Sequence, residues 1–286
     1  MQETLKKLRT SLQPIYGKNE SEAIIRLIFH YVKGWDLTDM LIHQQDLLSP
    51  FVKEEINEIL KRLLKNEPIQ YIVGEARFHG LDFKIRPGVL IPRRETEELT
   101  DIIIDQNKNR DDLKIIDLCT GSGCMAIALA RNLPFSDVTA IDISDEALDV
   151  ARENSSLLKT KIKVEKGNVL DPLWEPSQIP PGGYDIIVSN PPYVMDHEAL
   201  TMDKNVLNYE PHEALFVRDE NPLEFYSAIS DFALKFLAKD GKLYFEINPL
   251  TASALKQMLE AKGFDDVEVI NDSFGKKRFI SCARKR

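Results

Sequence analysis

A chain of 286 residues, 43% hydrophobic and 29% charged, is long enough for one large domain or two smaller ones with a substantial core. Three cysteines without CxxC spacing and five scattered histidines with no HExxH exclude a disulfide framework and leave no metal site to expect. The amino terminus carries no signal-type apolar stretch and no apolar run approaches bilayer length, so a cytoplasmic protein with no membrane segment is expected.

The net charge of −9 is unevenly spread. Residues 1–75 are nearly neutral, with 10 basic and 11 acidic side chains, whereas residues 76–275 carry 21 basic and 35 acidic ones. An acidic body argues against a phosphate-gripping surface, so no direct nucleic-acid binding is expected. From Lys276 onward six basic side chains and no acids follow, which reads as a solvated strand end.

Residues 1–67 read as a small all-helical bundle. Leu5, Leu8, Leu12 and Ile15 keep helical spacing, Ser21 and Glu22 open a second apolar run, and Phe51, Ile56, Ile59, Leu60, Leu63 and Leu64 form a third stripe closed by Pro68. Residues 68–92 change character: Phe78 to Ile85 alternates around Gly80, a hairpin signal, and serves as the bridge to a second domain. In the segment from Val89 to Leu99, Glu95 and Glu97 suit the first turn of a helix.

From residue 113 strands and helices alternate, which predicts a doubly wound parallel α/β sheet. Strands are predicted near 114–118, 138–142, 162–165, 184–189 and 242–247, and helices near 122–132, 145–157, 222–238 and 250–262. Two closing strands, 267–270 and 278–282, predict an antiparallel hairpin on the sheet edge.

Two strand exits carry chemistry. The first runs from Asp117 through Cys119-Thr120-Gly121-Ser122-Gly123, where the glycines let backbone N–H groups approach a ligand. Asp142 ends the next strand, placed to accept ribose hydroxyls. Gly121-x-Gly123-x-x-Ala126 also fits a dinucleotide fingerprint, so an NAD-dependent oxidoreductase competes on this half. Asp117, however, suits a cationic amino group better than a pyrophosphate. The second exit is Ser189-Asn190-Pro191-Pro192-Tyr193. Prolines end the strand; the Asn190 amide oxygen and the Pro191 carbonyl offer two acceptors for a planar NH2, and Tyr193 adds a ring face. Alone, the same residues also read as a strand exit whose Asn closes an Asx turn. An S-adenosyl-L-methionine site accounts for both exits together.

With these residues, and with Pro68-Ile69-Gln70-Tyr71, the Pro92-Arg93-Arg94-Glu95-Thr96-Glu97 segment, Tyr209-Glu210-Pro211-His212-Glu213-Ala214-Leu215 and Glu246-Ile247, nearly the whole chain resembles the HemK/PrmC protein-(glutamine-N5) methyltransferases. The resemblance implies a helical substrate-recognition domain (1–67), a linker and hairpin (68–92) and a Rossmann-like class I methyltransferase domain (93–286). It implies methyl transfer from S-adenosyl-L-methionine to the glutamine amide in the Gly-Gly-Gln loop of class 1 peptide chain release factors, by a cytoplasmic monomer. It assigns Asp117, Cys119, Thr120, Gly121, Ser122, Gly123, Asp142, Asn168, Val169 and Asn190 to the cofactor. It assigns Arg93, Glu95, Asn190, Pro191, Pro192 and Tyr193 to the substrate, with Asn190, Pro191 and Tyr193 at the chemistry. Cys119 stands where the family carries a glycine, Arg94 replaces a proline, Asn248 a glycine, and Val169 an aromatic near the adenine edge. A nucleic-acid amine methyltransferase of the adenine-N6 type shares the Asn-Pro-Pro-Tyr chemistry, and a catalytically silent adaptor would share the fold.

Overall fold

The computed structural model describes residues 1–284; Lys285 and Arg286, the end of the basic tail, lie outside the described residues. Two compact units result: residues 1–75 with 203–209, and residues 76–202 with 210–286.

The first unit is helical: α1 (Gln2–Lys33), α2 (Leu37–Ile42), α3 (Pro50–Leu63) and α4 (Ile69–Val73). Leu5, Leu8, Leu12, Ile24, Ile25, Ile28 and Phe29 of α1 pack with Ile56, Ile59, Leu60 and Leu63 of α3 in one apolar cluster. Two stripe positions depart from the expectation. Ile15 is 44% exposed and Phe51 77% exposed. Ile15 lies just before a break at Gly17 (φ +71°, ψ +175°), which turns the apolar face of α1 before the helix resumes. Phe51 lies in the first turn of α3 behind the Ser49 cap, where the helix has only begun to face the core. The second run thus begins at Gly17; Ser21 is fully buried and donates its hydroxyl to the Gly17 carbonyl.

The second unit begins with the hairpin β1 (Glu75–Phe78) and β2 (Leu81–Lys84), turned at Gly80 as its alternation predicts. Then come α5 (Arg94–Asn107), β3 (Lys114–Leu118), α6 (Cys124–Asn132), β4 (Asp137–Asp142), α7 (Asp145–Leu157), β5 (Lys163–Lys166) and β6 (Tyr184–Ser189). Short β7 (Val194–Met195) precedes a 3-10 turn, α8 (Lys204–Tyr209), which belongs to the first unit, and α9 (His212–Leu215). The chain ends through β8 (Phe216–Val217), α10 (Glu224–Phe236), β9 (Leu237–Glu246), α11 (Ala252–Lys262), β10 (Phe264–Asn271) and β11 (Lys277–Arg284).

Seven strands form one mixed sheet in the order β10-β11-β9-β6-β3-β4-β5. The pairs from β9 through β5 are parallel, and β11 is antiparallel to both β9 and β10. The closing hairpin is therefore present, but its second strand enters the sheet and its first forms the edge. Alternate strand residues serve opposite faces. Ile116, Leu118, Ile187, Leu243 and Phe245 pack under α10 and α11, whereas Ile115, Ile186, Val188 and Tyr244 pack under α5 and α6.

The winding reverses between β3 and β6, which pair in register with Leu118 opposite Ser189. A crevice outside the carboxyl ends of strands is expected at that reversal. Both chemical exits sit there, one residue beyond the last paired positions.

The predicted strand at 242–247 starts earlier, at Leu237, and α10 ends at Phe236. Lys239, Asp240 and Gly241 look like a loop in sequence, but Leu237 pairs with Tyr184 and the register shifts before Lys242 meets Ile186. Gly183 makes this possible: at φ +93° its hydrogen occupies a space where a Cβ would collide with the Phe236 carbonyl oxygen. Gly183→Ala should therefore destabilise the chain by more than about 1 kcal/mol, read as a lower Tm, because both the backbone angle and the space are wrong for alanine.

Candidate functional site

The glycine exit and the proline exit meet because hydrogen bonds outside the ladder fasten them. Ser189 donates its hydroxyl to the Leu118 carbonyl at 2.6 Å, tying β6 to the start of the glycine loop. The Asp142 carboxylate accepts the Gly121 N–H at 2.8 Å and the Ser144 N–H at 2.9 Å, so the loops after β3 and β4 share one anchor. Each oxygen retains lone-pair capacity for a further donor. Burial, more than any neighbour, raises the Asp142 pKa.

A cavity of about 470 Å³ opens between these loops. Of the residues singled out in the sequence, Arg93, Cys119, Thr120, Gly121, Ser122 and Asp142 line it, as do Asn168, Val169, Asn190 and Pro192. Five others do not. Asp117 is fully buried behind the loop, where Thr120 donates its hydroxyl to Oδ2 at 2.6 Å. Oδ1 has no hydrogen-bond partner. Burial pushes the Asp117 carboxyl up to about 7, against the Thr120 hydroxyl and an Ala126 N–H outside hydrogen-bonding geometry. Asp117 thus braces the loop from behind, and the geometry gives it no direct reach into the cavity. Gly123 sits at the start of α6 at φ +77°; a Cβ there would come within 3.0 Å of Ala151 Cβ, so glycine is needed for α6 to approach α7. Glu95 lies in the first turn of α5, and Pro191 and Tyr193 flank the lining residues Asn190 and Pro192 without lining the cavity themselves.

Arg93 caps α5 and donates to Glu210 Oε1 at 2.5 Å; Glu210, 4% exposed, also accepts the Ile91 N–H. That ion pair fastens the segment after β2 to the segment before α9. Tyr193 donates its backbone N–H to the Leu215 carbonyl, extending the parallel pairing of β7 with β8. Asn248 donates its amide to the Tyr193 carbonyl at 3.1 Å and to Glu198 Oε2 at 2.6 Å. It holds the proline exit from the outer side.

Thr96 and Glu246, which no local sequence pattern marks as functional, adjoin Asn190 and Tyr193. Glu246, 1% exposed at the end of β9, accepts the Thr96 hydroxyl on Oε2 (2.6 Å) and the Tyr193 hydroxyl on Oε1 (2.8 Å). Thr96 Oγ1 in turn lies 3.1 Å from Asn190 Nδ2. Burial raises the Glu246 pKa, and burial next to that carboxylate holds the Tyr193 phenol well above its ordinary value. An acid ending the apolar run Leu243-Tyr244-Phe245 was the available signal, since a carboxylate inside a sheet needs partners. Phe225 also lines the cavity, as do Val89, Leu90 and Leu170, none of them expected.

Several of these observations fit a bound S-adenosyl-L-methionine. The cavity volume lies within the ordinary range for small-ligand sites, about 300–1,000 Å³. Ser122 Oγ in its wall is buried without a partner, and glycine leaves the loop backbone open to a ligand. Asp142, Glu146 and Glu213 place carboxylates around a wall that is otherwise largely apolar, which suits a cationic ligand with an aromatic base.

Two predictions follow from the loop. Cys119 adopts φ +62°, the left-handed region that glycine tolerates and other residues enter at a cost of roughly 1–2 kcal/mol. Cys119→Gly should therefore match or exceed Cys119→Ala in urea midpoint, reversing the usual order in which glycine is worse by about 0.5–1 kcal/mol. Asp117 binds a proton up to about pH 7 when folded, against 3.8 ordinarily, so its contribution to stability is complete at low pH and lost as pH rises through 7. Asp117→Asn should flatten that fall, by up to about 4 kcal/mol between pH 4 and 8, measured by urea unfolding at both ends.

The chain is similar to known proteins over nearly its whole length. A family model for the PrmC N-terminal domain matches residues 3–74, and one for the methyltransferase small domain matches residues 80–209. A release factor glutamine methyltransferase of Bacteroides thetaiotaomicron is 44% identical, over 97% of this chain and 98% of that protein. A protein of the same description from Flavobacterium psychrophilum is 40% identical, over 94% of each. Among solved structures, a methyltransferase from Pyrococcus furiosus shares the fold, with a TM-score of 0.53 at 18% identity over 80% of this chain and 100% of that one.

Proposed function

The chain belongs to the release factor glutamine methyltransferase family, and we propose that it methylates class 1 peptide chain release factors. The methyl group comes from S-adenosyl-L-methionine, the acceptor is the side-chain amide nitrogen of the glutamine in the Gly-Gly-Gln loop, and translation termination is what the product modulates. The observation that carries this reading is Asn190. It lines the cavity beside the glycine loop, and Thr96 engages the NH2 of its amide. An acceptor oxygen is thereby left for a substrate NH2.

S-adenosyl-L-methionine, when bound, supplies an electrophilic methyl on a cationic sulfur. Asp142 would take its ribose hydroxyls, and Val169, Leu170 and Phe225 would form the apolar wall for the base, so that the aromatic absent at 169 has a counterpart on α10. The chain's own part in the chemistry is positional. An amide nitrogen is a weak nucleophile because its lone pair is conjugated, as a rotation barrier of roughly 18–20 kcal/mol attests. Asn190 Oδ1 and the Pro191 carbonyl would grip the two N–H groups and hold the nitrogen against the methyl, and orientation of this kind supplies up to about 7–11 kcal/mol. No general base is needed. Tyr193, its hydroxyl committed to Glu246, stiffens the loop that carries both acceptors.

The first unit supplies substrate docking in this reading, since it presents Leu37, Leu41, Ile42, Leu47 and Phe51 to solvent and contributes nothing to the cavity wall. The acidic balance of residues 76–275 weighs against a nucleic-acid acceptor. Among the described residues no helix is long and apolar enough to cross a membrane. In this reading the protein acts as a monomer in the cytoplasm, where release factors work.

The test is mass spectrometry of the Gly-Gly-Gln peptide after incubation of a release factor with the protein and S-adenosyl-L-methionine. Methylation of that glutamine is expected, and methyl transfer to DNA or RNA instead would overturn the assignment. Asn190→Ala should lower turnover by about a hundred- to a thousand-fold, the usual cost of removing one preorganised polar contact at a reacting centre. Calorimetry should find its S-adenosyl-L-methionine affinity nearly unchanged.

A further inference from the structure

Asn190 can grip an NH2 only if its amide points one way. Turned over, it would present its own NH2 to the substrate's NH2, donor against donor. The proline exit does not decide between the two orientations; Thr96 and Glu246 do.

Glu246 is the fixed end of the relay. Ionised, it only accepts, so the single Thr96 proton, 2.6 Å from Oε2, is committed to it. Thr96 Oγ1 then offers Asn190 nothing but lone pairs, and at 3.1 Å only the Nδ2 side of the amide can satisfy them. Reversal would set two acceptor oxygens against each other in a site where Thr96 is 4% exposed. Glu246 cannot rotate to relieve this. Tyr193 spends its proton on Oε1 at 2.8 Å, and Tyr226 donates to the Glu246 backbone carbonyl at 3.1 Å.

We propose that Thr96 and Glu246 are positioning residues that lock the Asn190 amide with Oδ1 toward the cavity and so tune the site to an NH2 acceptor. This rests on the reading of Asn190 as the group that grips the substrate amide. The lock needs Glu246 ionised. Protonated, Glu246 has a donor of its own for Thr96, whose proton is then free to turn toward Asn190 and favour the reversed amide. The groups facing Glu246 are the Thr96, Tyr193 and Tyr226 hydroxyls, Glu95 on α5 and Arg278 on β11. Burial first, and Glu95 as well, raise its pKa, while the two side-chain hydrogen bonds and Arg278 lower it. Turnover should therefore fall on the acid side as Glu246 takes up its proton.

The deciding experiment needs no substrate. In 15N-labelled full-length protein the Asn190 side-chain NH2 signal, assigned through its loss in Asn190→Ala, should exchange slowly with water. Thr96→Val should speed that exchange about fivefold, the factor a single ordinary hydrogen bond provides, and Thr96→Ser should restore it. Equal exchange in wild type and Thr96→Val would overturn the lock, whatever the substrate is. With release factor as substrate, Thr96→Val should lower kcat by about 10–100-fold, with S-adenosyl-L-methionine affinity unchanged and Thr96→Ser largely active. Glu246→Gln, whose amide oxygen still accepts from Thr96, should lose the acid limb of the pH profile. A Glu246→Gln profile superimposable on wild type would also overturn the proposal. If Thr96→Val fails to fold, Thr96→Ser and Glu246→Gln carry the test alone. Wild type that is inactive on release factors would sink the substrate assignment and leave the exchange measurement to decide the lock.

Discussion

A carboxylate taken out of water is costly unless hydrogen bonds replace its hydration. Glu246 is the place where this chain meets that constraint. Its side chain receives hydroxyls from α5 and from the proline exit, and its backbone carbonyl receives one from α10. Three elements far apart in sequence are thereby referred to one point at the end of β9. Remove the acid, and Thr96, Tyr193 and through Thr96 the Asn190 amide lose the reason for their orientation. A buried charge is often weak as a source of net stability; its use here is to make one arrangement of neighbours the only satisfied one. A loop proposed to grip a substrate amide needs that uniqueness more than it needs extra stability.

The same economy governs the rest of the site. β3 and β6 pair to Leu118 and Ser189, and then glycines on one side and prolines on the other stop the ladder abruptly. Glycine leaves N–H groups open to a ligand; proline stiffens carbonyls as acceptors. Two opposite backbone chemistries are thus set side by side at the winding reversal of the sheet. Asp142 and Ser189 fix their relative height through contacts to Gly121, Ser144 and Leu118.

The strands of the sheet were legible because buried parallel strands read as unbroken apolar runs, and the exits because glycine and proline have few other uses at such points. What sequence did not carry was pairing across distance. Thr96 and Glu246 are 150 residues apart, and nothing local in either marks a partner. The early start of β9 was hidden because Lys239-Asp240-Gly241 has loop composition while Gly183 supplies the space that lets the strand form. Ile15 and Phe51 fit their helical stripes and are exposed nonetheless, because periodicity gives a face and not the point at which that face turns away. Asp117 was read as facing a ligand because it precedes the glycines. Its alternation places it inside the sheet, with Thr120 as its partner.

Asp117, Asp142 and Glu246 share a property that links fold to ligand. Burial raises the pKa of each. The protein thus keeps acids in places where their charge is poorly solvated, and Asp142 also stands in the wall of a cavity with Glu146 and Glu213. In such surroundings Coulomb interactions are several times stronger than in water, so a cation entering the cavity gains more than it would at an open surface. The gain is for positive charge, which S-adenosyl-L-methionine would supply when bound. Among the wall carboxylates this effect rests on Asp142, which two backbone N–H groups fix in place, whereas Glu146 is exposed and paired with Arg86.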